Sequence, residues 1–427
     1  MRVAIIFTSI LFASLVTFAQ EHSRVLILGG VAHIGNGTVV NNPAISIKDG
    51  VFQYVKNRMV QRIDEADFDT VIQLGKVHIY PGLIAANTPL GLTEIEAVRA
   101  TLDFKEVGEM NPNVRALIAY DAESAIIPTV RFNGVLLAQV VPRGATLSGT
   151  SSIFNLSGNN WEDAVFKEDD GVHLYWPNRF RQTGWWAEPG TIKSNASYNQ
   201  KLEALQDFMA RAKGYGLDSN STQMNLKLEA MKGVFNGSKT LFVHANEARE
   251  LIQAVQLKRE FDIEKMVIVG GYDAWRVSEL LNDYHVPVIY HRTHSLPKRE
   301  DEPIDLPYRI PALMKERGIE FCLSMSDDHN ATENRNLPFN AGSAATYGLG
   351  KEEALQAVTG DAAKILGIDT YLGTLEPGKY ATFFISEGDV LDMKSNAITH
   401  VYIKGKSVPV DGPQQELYHK WVNHYKP

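Results

Sequence analysis

Between residues 24 and 73 the apolar positions come in short runs separated by turn residues: 25–28, then Gly29-Gly30, then Val40, 44–48, Asp49-Gly50 and 51–55. Asp49-Gly50 between two alternating runs predicts a tight hairpin, because both turn positions need positive φ. Farther along, the rhythm changes to apolar strand-like runs alternating with helical stretches, the pattern of repeated βα units in an α/β fold. The strands expected are 78–86, 134–141, 241–245, 266–270, 286–290 and 319–325. Each is short and rich in branched residues, as for strands covered on both faces. Helices fit at 247–261, 274–283 and 351–358, and Thr93 with Glu96 has the spacing of a capping box that would start the first helix after the 78–86 strand. Near the carboxyl end, 381–386 and 399–403 with the turn Lys404-Gly405-Lys406 return to β structure.

A chain of 427 residues, 44% hydrophobic and 22% charged, has room for a large core. That length suits one (β/α)8 barrel of roughly 250 residues with a smaller module beside it. The formal charge of −8 gives no attraction to phosphate backbones or anionic membranes, so nucleic acid is not an expected partner. Met1-Arg2 followed by the apolar stretch 3–18 and the small residues around Ala19 reads as a cleavable signal peptide, cut after Ala19. A membrane anchor is the alternative, but the run is short of the ~20 residues that span a bilayer. The mature protein is therefore expected to be periplasmic or secreted, with no membrane span.

The single cysteine, Cys322, excludes an intramolecular disulfide. It sits in the apolar run 319–323, where a small buried hydrophobe and a thiol nucleophile are both open readings. The stretch 157–239 holds Trp161, Trp176, Trp185 and Trp186 among Asn, Gly and Asp. It reads as an insertion, either a lid or binding surface over a barrel mouth or rings that pack the insertion down.

Two longer passages are more specific. Lys76-Val77-His78-Ile79-Tyr80-Pro81-Gly82-Leu83-Ile84 and Leu372-Gly373-Thr374-Leu375-Glu376-Pro377-Gly378-Lys379-Tyr380-Ala381-Thr382 occur in that order. They resemble the entry into strand one and the return to the β-domain in metal-dependent amidohydrolases close to imidazolonepropionase. The resemblance implies a (β/α)8 TIM-type barrel over residues 81–366. It also implies a small β-sandwich built from 20–80 with 367–412, and leaves a terminal helix at 413–427. In that family one or two divalent metals activate water to hydrolyse a C–N bond, commonly in a cyclic amide or imide. The ligands are His-x-His on strand one, a carboxylated Lys or an acid on strand four, a His on each of strands five and six, and an Asp on strand eight that also moves the proton.

Position by position, this chain keeps little of that set. The strand-one pair is replaced by Asn87 and Pro89, and the strand-six end reads Val269-Gly270-Gly271. No strand-four lysine stands out. His244 survives in the strand-five pattern and Asp327 in the strand-eight position, which the resemblance assigns to metal binding and, for Asp327, to proton transfer as the catalytic group. His291, His294 and His329 could rebuild a rearranged site, His329 as a third ligand, or could be loop residues that bind water or substrate. Asn87, His291, His294, Asp328 and Arg335 are the candidates for substrate binding, although a solvated loop with Asx turns explains the composition after Asp327 equally well. The cofactor is thus zinc or another divalent metal, or none. Motifs for serine hydrolases, P-loops and dinucleotides are absent from the sequence.

Two functions follow. The first is an exported hydrolase of a small-molecule, non-peptide C–N bond with a degenerate or rearranged metal site. The second is an inactive barrel that binds a ligand or serves as the partner subunit of an active relative, whether as a homo-oligomer or a hetero-oligomer.

Overall fold

The computed structural model describes residues 23–59, 63–185, 187–217, 223–325 and 331–425. Its centre is an eight-stranded sheet curled into a nearly closed barrel: β1 (Leu83–Thr88), β2 (Val135–Val140), β3 (Leu147–Asn155), β4 (Val165–Tyr175), β5 (Thr240–Ala245), β6 (Met266–Gly270), β7 (Val288–Tyr290) and β8 (Phe321–Leu323). The strands follow chain order around the barrel. All neighbours pair in parallel except β3, which runs antiparallel to both β2 and β4. Between β8 and β1 the seam is closed by other groups. Leu323 N–H donates to the Ala357 carbonyl and Ile84 N–H to that of Val358, both at 2.9 Å, while Ser324 Oγ donates to the Ala86 carbonyl at 2.6 Å.

Helices Ala248–Glu260, Ser278–Asp283, Leu306–Glu316 and Lys351–Gln356 bury apolar faces in the same core as the strands. At Ala248–Glu260 the start is fixed by a capping box between Glu247 and Glu250. The capping box expected at Thr93 and Glu96 starts no helix. Gly91 turns the chain with φ of +75°, and Thr93 forms bridges to Leu90 and Leu102, which commits its backbone to an extended pairing.

The stretch 157–239 was expected as an insertion, yet it supplies barrel strand β4. The charged run Lys167-Glu168-Asp169-Asp170 inside β4 hides the strand from a search for apolar runs. Beyond β4 the stretch continues as the hairpin Phe180–Trp185 and Glu188–Ser194, then helices Tyr198–Leu217 and Leu226–Phe235. Trp161 and Trp176 pack on or in the core, whereas Trp185 is exposed on the hairpin; Trp186 lies outside the described residues.

Beside the barrel stand two smaller sheets. One orders Val51–Asn57, Pro43–Lys48, Arg24–Leu28 and Thr70–Gln73, with the expected hairpin at Asp49 (φ 53°) and Gly50 (φ 75°). The other orders Lys406–Val408, Ile398–Ile403, Phe383–Ser386, His78–Pro81, Val31–His33 and Val39–Asn41, so both ends of the chain contribute to it. Ile27, Ile45 and Phe52 from the first meet Ile79, Phe383 and Ile385 from the second in one apolar cluster, which makes the pair a sandwich. Helix Pro413–Tyr425 follows. Among the described residues no helix is long and apolar enough to cross a membrane.

Candidate active site

A cavity of about 430 Å³ opens where β1, β4, β5, β6 and β7 end. That is the face on which barrel proteins of this architecture carry their sites. Register explains the arrangement: Tyr175 pairs with His244, His244 with Val269, and Gly270 with Tyr290, so the ends of β4 to β7 stand level around the opening. Asn87, Arg143, Tyr175, His244, His291 and Lys298 line it.

Asn87 sits where β1 slips register against β2, between Ala85 and Thr88, and it holds φ of 56°. A left-handed backbone at a residue with a side chain costs about 1–2 kcal/mol, least for Asn and Asp. Neighbours hold it there: its N–H donates to Gln139 Oε1 at 3.1 Å and its carbonyl accepts from Arg143 Nη2 at 2.9 Å. The buried Arg143 also donates through Nη1 to the Tyr175 hydroxyl at 3.1 Å, joining the ends of β1 and β4. Tyr175 in turn stacks on His244, with centroids 3.8 Å apart and planes 14° from parallel.

Beneath His244 a row of polar side chains runs into the barrel. His244 Nε2 lies 2.9 Å from His173 Nδ1, and His173 Nε2 lies 2.8 Å from Ser151 Oγ. Ser151 Oγ donates to Asp170 Oδ1 at 2.6 Å, and Gln139 Nε2 donates to Asp170 Oδ2 at 2.8 Å. Gln139, Ser151, Asp170 and His173 are all buried. Phe242 stacks on the His173 ring at 4.7 Å, and Gly171 makes room for it: a Cβ there would stand 2.4 Å from Phe242 Cε2.

Burial dominates the electrostatics. It holds the His173 imidazole well below its ordinary value, with the Arg143 charge adding to the effect. His244 is likewise well below, through burial first and then His173, Arg143 and His291. Asp170 is raised by burial, against the hydrogen bonds from Ser151 and Gln139.

His173 therefore makes a stability prediction with a definite sign. Its folded value lies below the ordinary 6.5, so on acidification through 6.5 the unfolded chain takes up a proton that the fold refuses. Stability is present above 6.5 and falls below it, by up to about 1.4 kcal/mol per pH unit for this one group. Melting temperatures recorded from neutral pH to pH ~5 are expected to drop more steeply for the wild type than for His173→Gln. Parallel slopes would contradict the assignment.

A salt-bridge network holds the rim. Arg299 pairs with both Asp273 and Glu302, Glu302 accepts from the Tyr272 hydroxyl at 2.7 Å, and Tyr272 Oη accepts from Lys298 N–H at 3.2 Å. Burial, together with the Glu302 carboxylate, pushes the Tyr272 phenol up to about 12, so it stays a donor. Lys298 is thereby fixed over the opening.

Of the residues expected from sequence, Asn87, His244 and His291 meet at this cavity. His294 does not. Its N–H and the Thr293 hydroxyl both bond to Asn340, which turns the chain away and puts the imidazole beside Ser343 in a separate cleft. Arg335 is exposed on the 3-10 turn Thr332–Asn336, outside the cavity lining. Asp327, Asp328 and His329 lie outside the described residues. Sequence reading missed Arg143, Tyr175 and the whole row from Gln139 to His173. The alternation Gly171-Val172-His173-Leu174-Tyr175 was the available signal.

The metal centre of amidohydrolases does not fit the described residues. Asn87 and Pro89 replace the strand-one histidines, Gly270 ends β6, and His244 Nε2 is taken up by His173. No group of three His, Cys, Asp or Glu side chains suited to a metal occurs among the described residues.

Residues 308–408 match the amidohydrolase family. An amidohydrolase from Thermotoga maritima MSB8 superposes with a TM-score of 0.77 at 21% identity, covering 90% of this chain and 99% of that one. An A. niger ochratoxinase (TM-score 0.52, 14% identity) covers 92% of this chain and 98% of its own. A Xanthomonas campestris adenosine deaminase with bound zinc (TM-score 0.52, 14% identity) covers 94% and 98%. No curated protein sequence matches the chain significantly. The chain thus has the fold of these solved structures, and its residues 308–408 match the amidohydrolase family.

Proposed function

We propose that this chain is an exported, periplasmic or secreted hydrolase that cleaves a non-peptide C–N bond, of the cyclic amide or imide type, in a small molecule. The observation that carries the reading is His244, set at the cavity and backed by the buried row that ends at Asp170. In this reading His244 takes a proton from water as the water oxygen bonds to the carbonyl carbon. Arg143 offsets the charge that gathers on the carbonyl oxygen. The C–N bond then breaks as the proton passes to the departing nitrogen. Asp327, outside the described residues, is a further candidate for moving that proton.

In this metal-independent reading the purified mature protein is expected to hydrolyse members of a cyclic amide and imide panel at a rate unchanged by a chelator. Elemental analysis is expected to find substoichiometric metal. One equivalent of zinc, lost in both His244→Ala and Asp327→Ala, would instead establish a rearranged ion site at His244, Asp327 and His329.

A second reading is favoured by the replacements at Asn87, Pro89 and Gly270. It is a non-catalytic barrel that binds a small molecule or pairs with an active relative. Saturable binding of a panel member without turnover, with or without added zinc, would establish it.

A further inference from the structure

Hydrogen-bond polarity along the buried row is fixed at its far end. The Asn87 backbone N–H can only donate, so the Gln139 atom that meets it is the oxygen, and Gln139 Nε2 must donate to Asp170 Oδ2. With Asp170 ionised, Ser151 gives its single hydroxyl hydrogen to Oδ1 at 2.6 Å, a shorter contact than the Gly171 carbonyl at 3.2 Å. Ser151 Oγ, its hydrogen so committed, can only accept from His173, which places the hydrogen of that ring on Nε2 and leaves Nδ1 bare. His173 Nδ1 then accepts from His244 Nε2–H. The lone pair of His244 is left on Nδ1.

We infer that His173, Ser151 and Asp170 form a proton-conducting row that presents His244 with a bare Nδ1 and carries a proton gained there inward to the Asp170 carboxylate. This rests on the reading of His244 as proton acceptor. The transfer balances in four steps. A proton from the cavity forms an N–H bond at His244 Nδ1. The Nε2 hydrogen of His244 passes to His173 Nδ1, and the Nε2 hydrogen of His173 passes to Ser151 Oγ. The original hydroxyl hydrogen of Ser151 moves to Asp170 Oδ1. One proton has entered, one carboxylate has become a neutral acid, and neither ring is left charged. Returning the proton to the departing nitrogen reverses the row.

Burial gives a reason for such a device. It penalises a cation on either imidazole and favours the neutral acid at Asp170, so the charge avoids the sites where it costs most. Asp170 is buried outside the cavity lining and acts only through its neighbours, as a positioning and proton-storing residue.

The test reads the hydrogen position directly and needs no substrate. Nitrogen NMR of histidine-labelled protein near neutral pH, with the His244 ring assigned by its loss in His244→Gln, is expected to show protonated Nε2 and bare Nδ1. Asp170→Asn should invert the row. Gln139 still requires an acceptor, so the oxygen of the introduced amide faces Gln139 and its NH₂ donates to Ser151, which then donates to His173. His244 would appear as the Nδ1–H form. Ser151→Ala, a smaller change that guards against misfolding of the first variant, should release the ring to a mixture. A wild-type ring with hydrogen on Nδ1, or a ring unchanged in both folded variants, would overturn the inference. Turnover separates it from the hydrolase reading: inversion in Asp170→Asn without activity in the wild type would keep the row and remove the hydrolase.

Discussion

His244→Ala is expected to lower turnover at least ~100-fold, the scale on which a positioned general base contributes. The substrate should still bind, since Arg143, Tyr175 and Lys298 remain around the cavity. His244→Gln sharpens the experiment. Its amide can still donate to His173 Nδ1, so the buried row keeps a partner, but it has no basic nitrogen to offer the cavity. Both variants should therefore show a collapse in kcat with little change in KM, read from initial rates across substrate concentration. Wild-type turnover in His244→Gln would move the base to another residue, with Asp327 the first alternative.

The largest loss of stability is expected at Phe242→Ala. Phe242 is 1% exposed, lies face to face with His173 and fills the space left by Gly171. Truncating a buried phenylalanine costs about 3–5 kcal/mol, as lost transfer energy plus a cavity that neighbours only partly close. The site should suffer with it, because the ring that keeps His173 between Ser151 and His244 is gone. Denaturant titration checks the energy, and the His244 ring signal checks the coupling. A loss below about 1 kcal/mol would mean that the barrel interior relaxes freely around that position.

How much of this was legible in the sequence depended on whether a strand was apolar. Strands β5, β6 and β7 are runs of branched residues and were found, with His244 as the polar residue closing the first of them. The Asp49-Gly50 hairpin was found because only a few residue types accept positive φ at both positions. Strand β3 was missed. Leu-Ser-Gly-Thr-Ser-Ser-Ile-Phe-Asn is buried along its length although most of its residues are polar, because its side chains find hydrogen-bond partners inside the barrel, as Ser151 does with Asp170 and His173. Strand β4 was missed for the same reason: Asp170 and His173 read as surface residues until their partners from β2, β3 and β5 are in place. The buried row spans four strands, and nothing local in the chain announces it.

The interleaving of the two chain ends in the six-stranded sheet has a consequence for how the protein is made. His78–Pro81 pairs with Val31–His33 on one side and with Phe383–Ser386 on the other. Some three hundred residues separate the later two strands, which takes on the order of tens of seconds of synthesis at ribosomal rates. During that interval His78–Pro81 presents an open edge with buried-type side chains, the kind of surface that templates aggregation. The six-stranded sheet can therefore be completed only after the last strands emerge, and one side of His78–Pro81 stays without its partner strand until then.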